Sequence, residues 1–180
     1  MKTITVDLYT FDELNDKAKE KAIEDHRQYG LGYSWWDFIY EDARLVGLKI
    51  DGFDLYRRDI TGELTMSMPE SISEITKNHG KMCDTHKMAS IFGVQYALLA
   101  NDPDVQYRIN EKGLDAADAM EEVASIPLAR EYKQALLHEY FMKLKTEYEE
   151  MTSDEGIIES IHCNEYWFTE DGRFWPTRGR

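Results

Sequence analysis

Apolar and polar residues alternate from Thr3 to Tyr9, with Ile4, Val6 and Leu8 on one side and Thr3, Thr5 and Asp7 on the other, which predicts a half-buried strand. The period then lengthens. Asn15 is placed to cap a helix whose apolar side carries Ala18, Ala22 and Ile23 and which stops near Gly30 and Gly32. Ser34 and Asp37 have the spacing of a capping box for a second helix, with Trp36, Ile39, Ala43 and Val46 inward before Gly47. Leu48 to Arg57 alternates in two pieces, and the shift at Asp51-Gly52 predicts a β-bulge. Asp59 to Gly62 supplies turn residues, and Leu64, Met66 and Met68 alternate after it, so a hairpin that Pro69 ends is expected. Ser71 with Glu74 predicts the capping box of a short helix reaching Gly80.

Helical spacing returns from Thr85 to Ala100, with Met88, Ile91, Phe92 and Tyr96 on the expected inner side, until Asn101-Asp102-Pro103-Asp104 breaks it. Asp104 to Gly113 reads as a loop or short helix, and Asp115 caps the segment Ala116 to Ile126. Pro127 suits the first turn of a long helix ending near Met151, along which Tyr132, Ala135, Leu136, Tyr140, Leu144 and Tyr148 keep one face. Ser153 caps a last short helix through Ile157, Ile158 and Ile161. Tyr166 to Thr169 and Arg173 to Trp175 then flank Glu170-Asp171-Gly172 as a hairpin, before a frayed tail from Pro176 to Arg180. Helices and strands without regular alternation imply an α+β fold, a small mainly antiparallel sheet packed against several helices, with a long C-terminal helix followed by a β-hairpin. At 180 residues the expectation is one domain, residues 1–180, with a subdomain seam near 101–113.

Composition narrows the partners. Lys and Arg number 21 against 35 Asp and Glu, a net charge of -14, which argues against direct nucleic-acid or anionic-membrane binding and makes a basic protein surface the expected charged partner. A homo-oligomer is compatible with the same composition. No apolar run approaches a membrane span and the N-terminus has no signal-peptide core, so a cytoplasmic location is expected. Two cysteines, Cys83 and Cys163, are too few for a disulfide framework, and a reducing compartment is the simpler account.

Chemistry-bearing motifs are weak. His79-x-x-x-Cys83-x-x-His86, with His162-Cys163, has spacing permissive for a metal ion, yet the paired arms usual in structural zinc sites are missing, so no metal and no cofactor are expected. Cys83 with His86, or Cys163 with His162, does not make a convincing nucleophile pair, and no catalytic residue is assigned. Gly30-Leu31-Gly32 lacks the rest of a phosphate-binding loop, and Asn101-Asp102-Pro103-Asp104 lacks the glycine and glutamate of a calcium loop.

The charge pattern of the last third is the strongest signal. Between Lys145 and Arg173 there is no Lys or Arg, while Glu147, Glu149, Glu150, Asp154, Glu155, Glu159, Glu165, Glu170 and Asp171 all fall inside, interleaved with Tyr148, Tyr166, Trp167 and Phe168. Like charges this dense repel, so the run is either a solvated face with its aromatics in the core or a surface for a basic partner. The second reading assigns partner binding to those nine acids and Trp167, carboxylates standing where phosphates would sit in a nucleic-acid-binding groove.

Tyr9-Thr10-Phe11-Asp12-Glu13-Leu14 with Ala18-Lys19 and Lys21-Ala22, Gly52-Phe53-Asp54-Leu55, Thr152-Ser153-Asp154-Glu155, Asn164-Glu165-Tyr166 and Phe168-Thr169-Glu170-Asp171-Gly172 resemble stretches of small acidic, uncharacterised proteins of bacteriophages and other mobile elements, some labelled antitoxin-like. Residues 81–126 lie outside the resemblance. It implies a phage accessory protein acting in the bacterial cytoplasm, and with the acidic run it gives an expected function: binding and inhibiting a host defence or nucleic-acid-handling protein, in the manner of an anti-CRISPR. Two other classes fit the sequence. One is an enzyme or sponge for a nucleotide signal, with a pocket lined by Trp35, Trp36 and Tyr56 and the Arg57-Arg58 pair for the anion. The other is an antitoxin-like or oligomeric structural module.

Overall fold

The computed structural model describes residues 5–29, 34–124 and 127–176, and the chain is α+β. It folds as two compact units, unit 1 from Met1–Trp35 with Thr146–Arg180 and unit 2 from Trp36–Lys145. Residues 101–113 lie inside unit 2.

Unit 1 begins with a 3-10 turn, Phe11–Glu13, closed by a capping box in which Glu13 accepts from the backbone N–H of Thr10 at 2.8 Å. Helix α1 follows at Asp16–Tyr29, and Asn15 Oδ1 accepts from the N–H of Ala18 at 3.0 Å, the expected cap. The far end of the chain supplies the last turns of a long helix, then a short helix at Asp154–Cys163, then two strands of two residues each, Trp167–Phe168 and Phe174–Trp175, paired antiparallel. Phe11, Leu14, Ala18, Ala22, Ile157, Ile161 and Phe168 form one buried cluster, so segments from the two ends of the sequence share a core. All but one of the stretches that carry the resemblance fall in this unit. The expected N-terminal strand is corrected over its described part: residues 5–8 are irregular, and among the described residues of that stretch only Tyr9 pairs, exchanging hydrogen bonds of 2.8 and 2.9 Å with Phe168. The reason is the partner, since a strand of two residues offers no ladder for a longer one, and Val6 remains 38% exposed. Expectations on Ile4, Gly30, Gly32, Ile126 and residues 177–180 lie outside the described residues.

Unit 2 opens with α2, Asp37–Leu45, whose Ile39 and Ala43 are buried together with Val46. Trp36 stands at its N-cap without a side-chain cap, so the Ser34–Asp37 box does not form. Strands β1, Leu48–Asp54, and β2, Asp59–Leu64, make an antiparallel hairpin with a register shift between Ile50 and Gly52, the expected bulge. Its turn lies four residues earlier than the sequence suggests. Leu55 to Arg58 turn the chain, Arg58 adopts φ 56°, and Asp54 Oδ1 accepts from the N–H of Arg57 at 2.9 Å, so an aspartate and a left-handed arginine do what Gly62 was expected to do. Gly62 is instead inside β2, where a Cβ would meet the Lys49 carbonyl oxygen at 2.5 Å and Leu137 at 3.1 Å.

Helix α3 spans Met68–Asn78 and is capped by Ser67 with Glu70, not by Ser71 with Glu74. Pro69 therefore sits in a first helical turn, where its missing N–H costs nothing, and Met68 is helical, not the end of a strand. The remaining helices are α4 Asp84–Leu98, α5 Pro103–Lys112, α6 Ala116–Ala124, α7 Leu128–Thr152 and, in unit 1, α8 Asp154–Cys163. Cys83, Asp102, Asp115 and Ser153 cap α4, α5, α6 and α8 respectively through their side chains. The strands of unit 1, Trp167–Phe168 and Phe174–Trp175, are β3 and β4. On α7, Tyr132, Leu136, Tyr140 and Leu144 are all 0% exposed, the face set by the sequence spacing. On α4 the inner face differs from the expected one: Thr85 and Ala89 are buried, whereas Ile91 is 59% exposed.

Candidate functional site

Each partner-binding candidate lies in unit 1: Glu147, Glu149 and Glu150 on the end of α7, Asp154, Glu155 and Glu159 on α8, Glu165 between α8 and β3, Trp167 on β3, and Glu170 and Asp171 in the hairpin turn. Glu147 is half-buried and the others are exposed. The sequence folds this way because the apolar residues between the acids, Ile157, Ile161 and Phe168, go to the core and turn the acids outward.

Asp154 and Asp171 have a structural task. Asp154 Oδ1 receives Arg27 Nη2 at 2.6 Å, and Arg27 also donates to the carbonyl of Thr152, which ties α1 to the α7–α8 corner. Asp171 receives Lys21 at 3.3 Å and Arg173 at 3.0 Å. The Thr169 hydroxyl donates to Asp171 at 2.6 Å, and chiefly this bond, with the Lys21 charge, holds the carboxyl at about 2. Charge in the acidic run is thus partly consumed by α1.

The interleaved aromatics divide the same way. Phe168 is fully buried; Tyr166 lies against the rings of His26 and Phe174 at 5.1 and 5.0 Å; Tyr148 packs on Trp35 at 6.1 Å. Trp167 alone of the four faces solvent, and beside it in register is Trp175, the two 37% and 40% exposed. Trp175 was not among the sequence candidates, yet its signal was there: once Glu170-Asp171-Gly172 is the turn, alternation puts residues 167 and 175 on one face and Phe168 and Phe174 on the other. Close to the turn, an open cleft of about 590 Å³ is lined by Asp7, Glu170 and Asp171 with Asn15 and Thr169, a set of acceptors suited to an incoming ammonium or guanidinium group.

Unit 2 carries a second polar constellation that sequence spacing could not assemble. Asp42 on α2 accepts from the Tyr140 hydroxyl and from Lys143 Nζ, both at 2.8 Å, and its other oxygen faces His79 Nε2 at 3.2 Å. Burial alone would raise the Asp42 carboxyl; the Lys143 and Tyr140 hydrogen bonds and the nearby charges bring it below its ordinary value. Burial pushes His79 down despite Asp42, and burial with the Asp42 charge pushes the Tyr140 hydroxyl far up, so that it stays a donor. Three donors from two other elements converge on the one carboxylate, which makes the cluster a clamp between α2, the end of α3 and α7.

The metal candidates are not gathered. His79 is turned to Asp42, His86 Nδ1 lies 3.1 Å from the His79 carbonyl oxygen, and Cys83 Sγ accepts from the His86 N–H. Among the described residues no group of three or more His, Cys, Asp or Glu side chains is placed to hold a metal ion, and both thiols are free. Among the same residues no helix is long and apolar enough to cross a membrane. Tyr56 is 95% exposed beside the hairpin turn and Trp36 lies edge-on to Phe53, so the two do not line a shared pocket. Comparison with protein-family models, with curated proteins and with solved structures finds no match.

Proposed function

We propose that this chain is a phage accessory protein of the bacterial cytoplasm that binds a basic groove on a host defence or nucleic-acid-handling protein and blocks it. The observation that carries the reading is that Glu149, Glu150, Glu155, Glu159, Glu165 and Glu170 of unit 1 are all exposed, and that the same unit carries the outward pair Trp167 and Trp175. Carboxylates supply the long-range attraction and set the encounter; the indole pair supplies the desolvated anchor, and its faces stack well on arginine.

The test is affinity capture from bacterial lysate on immobilised full-length protein, followed by competition with duplex DNA or RNA. A captured nucleic-acid-binding protein should dissociate between about 0.05 and 0.5 M salt, because this range takes the screening length from beyond to below the charge spacing. Glu150→Lys, Glu155→Lys, Glu159→Lys and Glu170→Lys in one chain should abolish capture with the melting temperature kept. Asp154 and Asp171 are left intact, since their loss would also loosen α1. Capture indifferent to both salt and charge reversal would overturn the proposal.

A further inference from the structure

The β3–β4 hairpin is too short to hold itself in place. Each strand has two residues, and among the described residues its one further backbone pairing is to Tyr9. Helix α1 supplies the rest of its support, at two places. At the turn, Gly172 lies so close to α1 that a Cβ would stand 2.2 Å from the Ala18 carbonyl oxygen, and Lys21 reaches the Asp171 carboxylate at 3.3 Å. Further along α1 the attachment is made of rings. The His26 imidazole centroid lies 5.1 Å from that of Tyr166, 5.7 Å from Phe168 and 5.5 Å from Phe174. His26 is 9% exposed, and its Nδ1 donates to the Ala22 carbonyl at 3.2 Å. A titratable ring thus stands at a packing position that a hydrocarbon ring would fill equally well.

A proton added to His26 puts a full charge among three aromatic rings and away from water, which burial opposes. Two groups on its own helix work the other way, the Ala22 carbonyl and the Asp25 carboxylate, but burial is the larger effect and holds the imidazole below 6.5. The rings that face it from the hairpin segment, Tyr166 the titratable one among them, bring no negative charge near neutral pH. The second histidine of unit 1, His162 on α8, meets Phe11 at 5.7 Å and Asp12 at 3.3 Å instead. When the hairpin lifts, His26 regains water and its ordinary value; while the hairpin is docked, that value is lower. Protons therefore favour the lifted state. The loss of docking begins as pH falls below 6.5 and is complete once the lowered docked value is passed, at up to about tenfold in the docking equilibrium per pH unit between them. The attachment at the turn does not share this window, because the Asp171 carboxyl is held at about 2 and stays ionised.

We propose that His26 is an acid-sensitive latch, whose protonation releases the β3–β4 hairpin, and with it the Trp167 and Trp175 pair, from α1 while the rest of unit 1 stays folded. The device holds whatever the tryptophan pair binds. The measurement is hydrogen exchange of the full chain from about pH 7.5 to about pH 4.5, corrected for the intrinsic pH dependence of amide exchange and read peptide by peptide, which keeps the titration of His79 in unit 2 apart. Peptides spanning 166–174, in which the Phe168, Thr169 and Gly172 N–H groups are hydrogen-bonded, should lose protection below pH 6.5 by up to about tenfold per unit. Peptides of α8 should keep theirs. His26→Gln, which does not titrate, should hold hairpin protection constant across the range, and His162→Gln should leave the native response unchanged. Protection that stays flat or rises on acidification overturns the proposal, a rise meaning that the rings bind the imidazolium. So does a parallel loss in α8, which is melting of the whole unit, or a response that survives His26→Gln. If that variant lifts the hairpin at every pH, the imidazole titration of the native chain followed by NMR decides: a His26 midpoint below 6.5 supports the latch, and one at or above 6.5 overturns it.

Discussion

Replacing Asp42 with Ala removes one acceptor from three donors at once, and the cost can be worked out partner by partner. Tyr140 is 0% exposed, so without Asp42 its hydroxyl is left dry and unbonded, at about 1–3 kcal/mol. Lys143 is 35% exposed and regains water, so its share is at most about 1 kcal/mol. His79, 8% exposed, loses a bond of 3.2 Å, a smaller term because burial keeps the ring largely neutral. The sum is about 1–4 kcal/mol, or roughly 3–15 °C in Tm for a chain of this size. Urea denaturation followed by circular dichroism, with amide exchange on peptides covering α2 to place the loss in unit 2, measures it. Tyr140→Phe separates the terms. In the native background it costs about 1 kcal/mol, whereas in the Asp42→Ala background it should stabilise by about as much, because it deletes the stranded donor. A Tyr140→Phe cost that is the same in both backgrounds would refute the reasoning. The pH dependence gives an independent sign. Asp42 has a folded pKa below the ordinary 3.8, so its contribution is complete above that value and is lost as pH falls through the lowered one, and the gap between native and Asp42→Ala should close there. His79 works at a higher pH: its folded pKa lies below 6.5, so the folded state resists protonation and stability declines as pH falls from 6.5 through the lowered value.

Two further substitutions test the packing of each unit. Gly172→Ala should destabilise unit 1 by about 2 kcal/mol or more, because Gly172 has φ 81° and the new Cβ would lie 2.2 Å from the Ala18 carbonyl oxygen, whereas Gly113→Ala, at φ 70° with nothing within 4 Å, should cost only about 1 kcal/mol; equal melting shifts would sink the close-approach argument. Ser71→Ala should cost about 1–3 kcal/mol, since the Ser71 hydroxyl bonds the Val46 carbonyl and the buried Tyr132 hydroxyl, both at 2.6 Å, while Ser67→Ala removes only a helix cap worth about 1 kcal/mol; if Ser67→Ala proves the costlier of the two, the reassigned cap and the buried hydroxyl pair are misread.

What the sequence by itself determined is local. The α+β class, the bulge before Gly52, the caps at Asn15, Asp115 and Ser153, the inner face of α7 and the C-terminal hairpin follow from periodicities and cap chemistry that act within a few residues. Where two local solutions competed, the tertiary structure chose. Ser67 with Glu70 and Ser71 with Glu74 are equivalent as spacings, and Ser71 is excluded as a cap because its hydroxyl is taken by Val46 and Tyr132. Gly62 was as good a turn residue as any until the Lys49 carbonyl of β1, and behind it Leu137 of α7, required a missing Cβ there. For the candidate site, the acidic run and Trp167 were visible as a string of residues. The sequence could not show that Asp154 and Asp171 are tied to Arg27 and Lys21 of α1, or that Tyr148, Tyr166 and Phe168 turn inward while Trp175 turns out beside Trp167. Composition fixes how much charge a segment carries. Which of those charges face water and which are used inside the fold depends on contacts between residues more than a hundred positions apart, and only the folded chain brings those together.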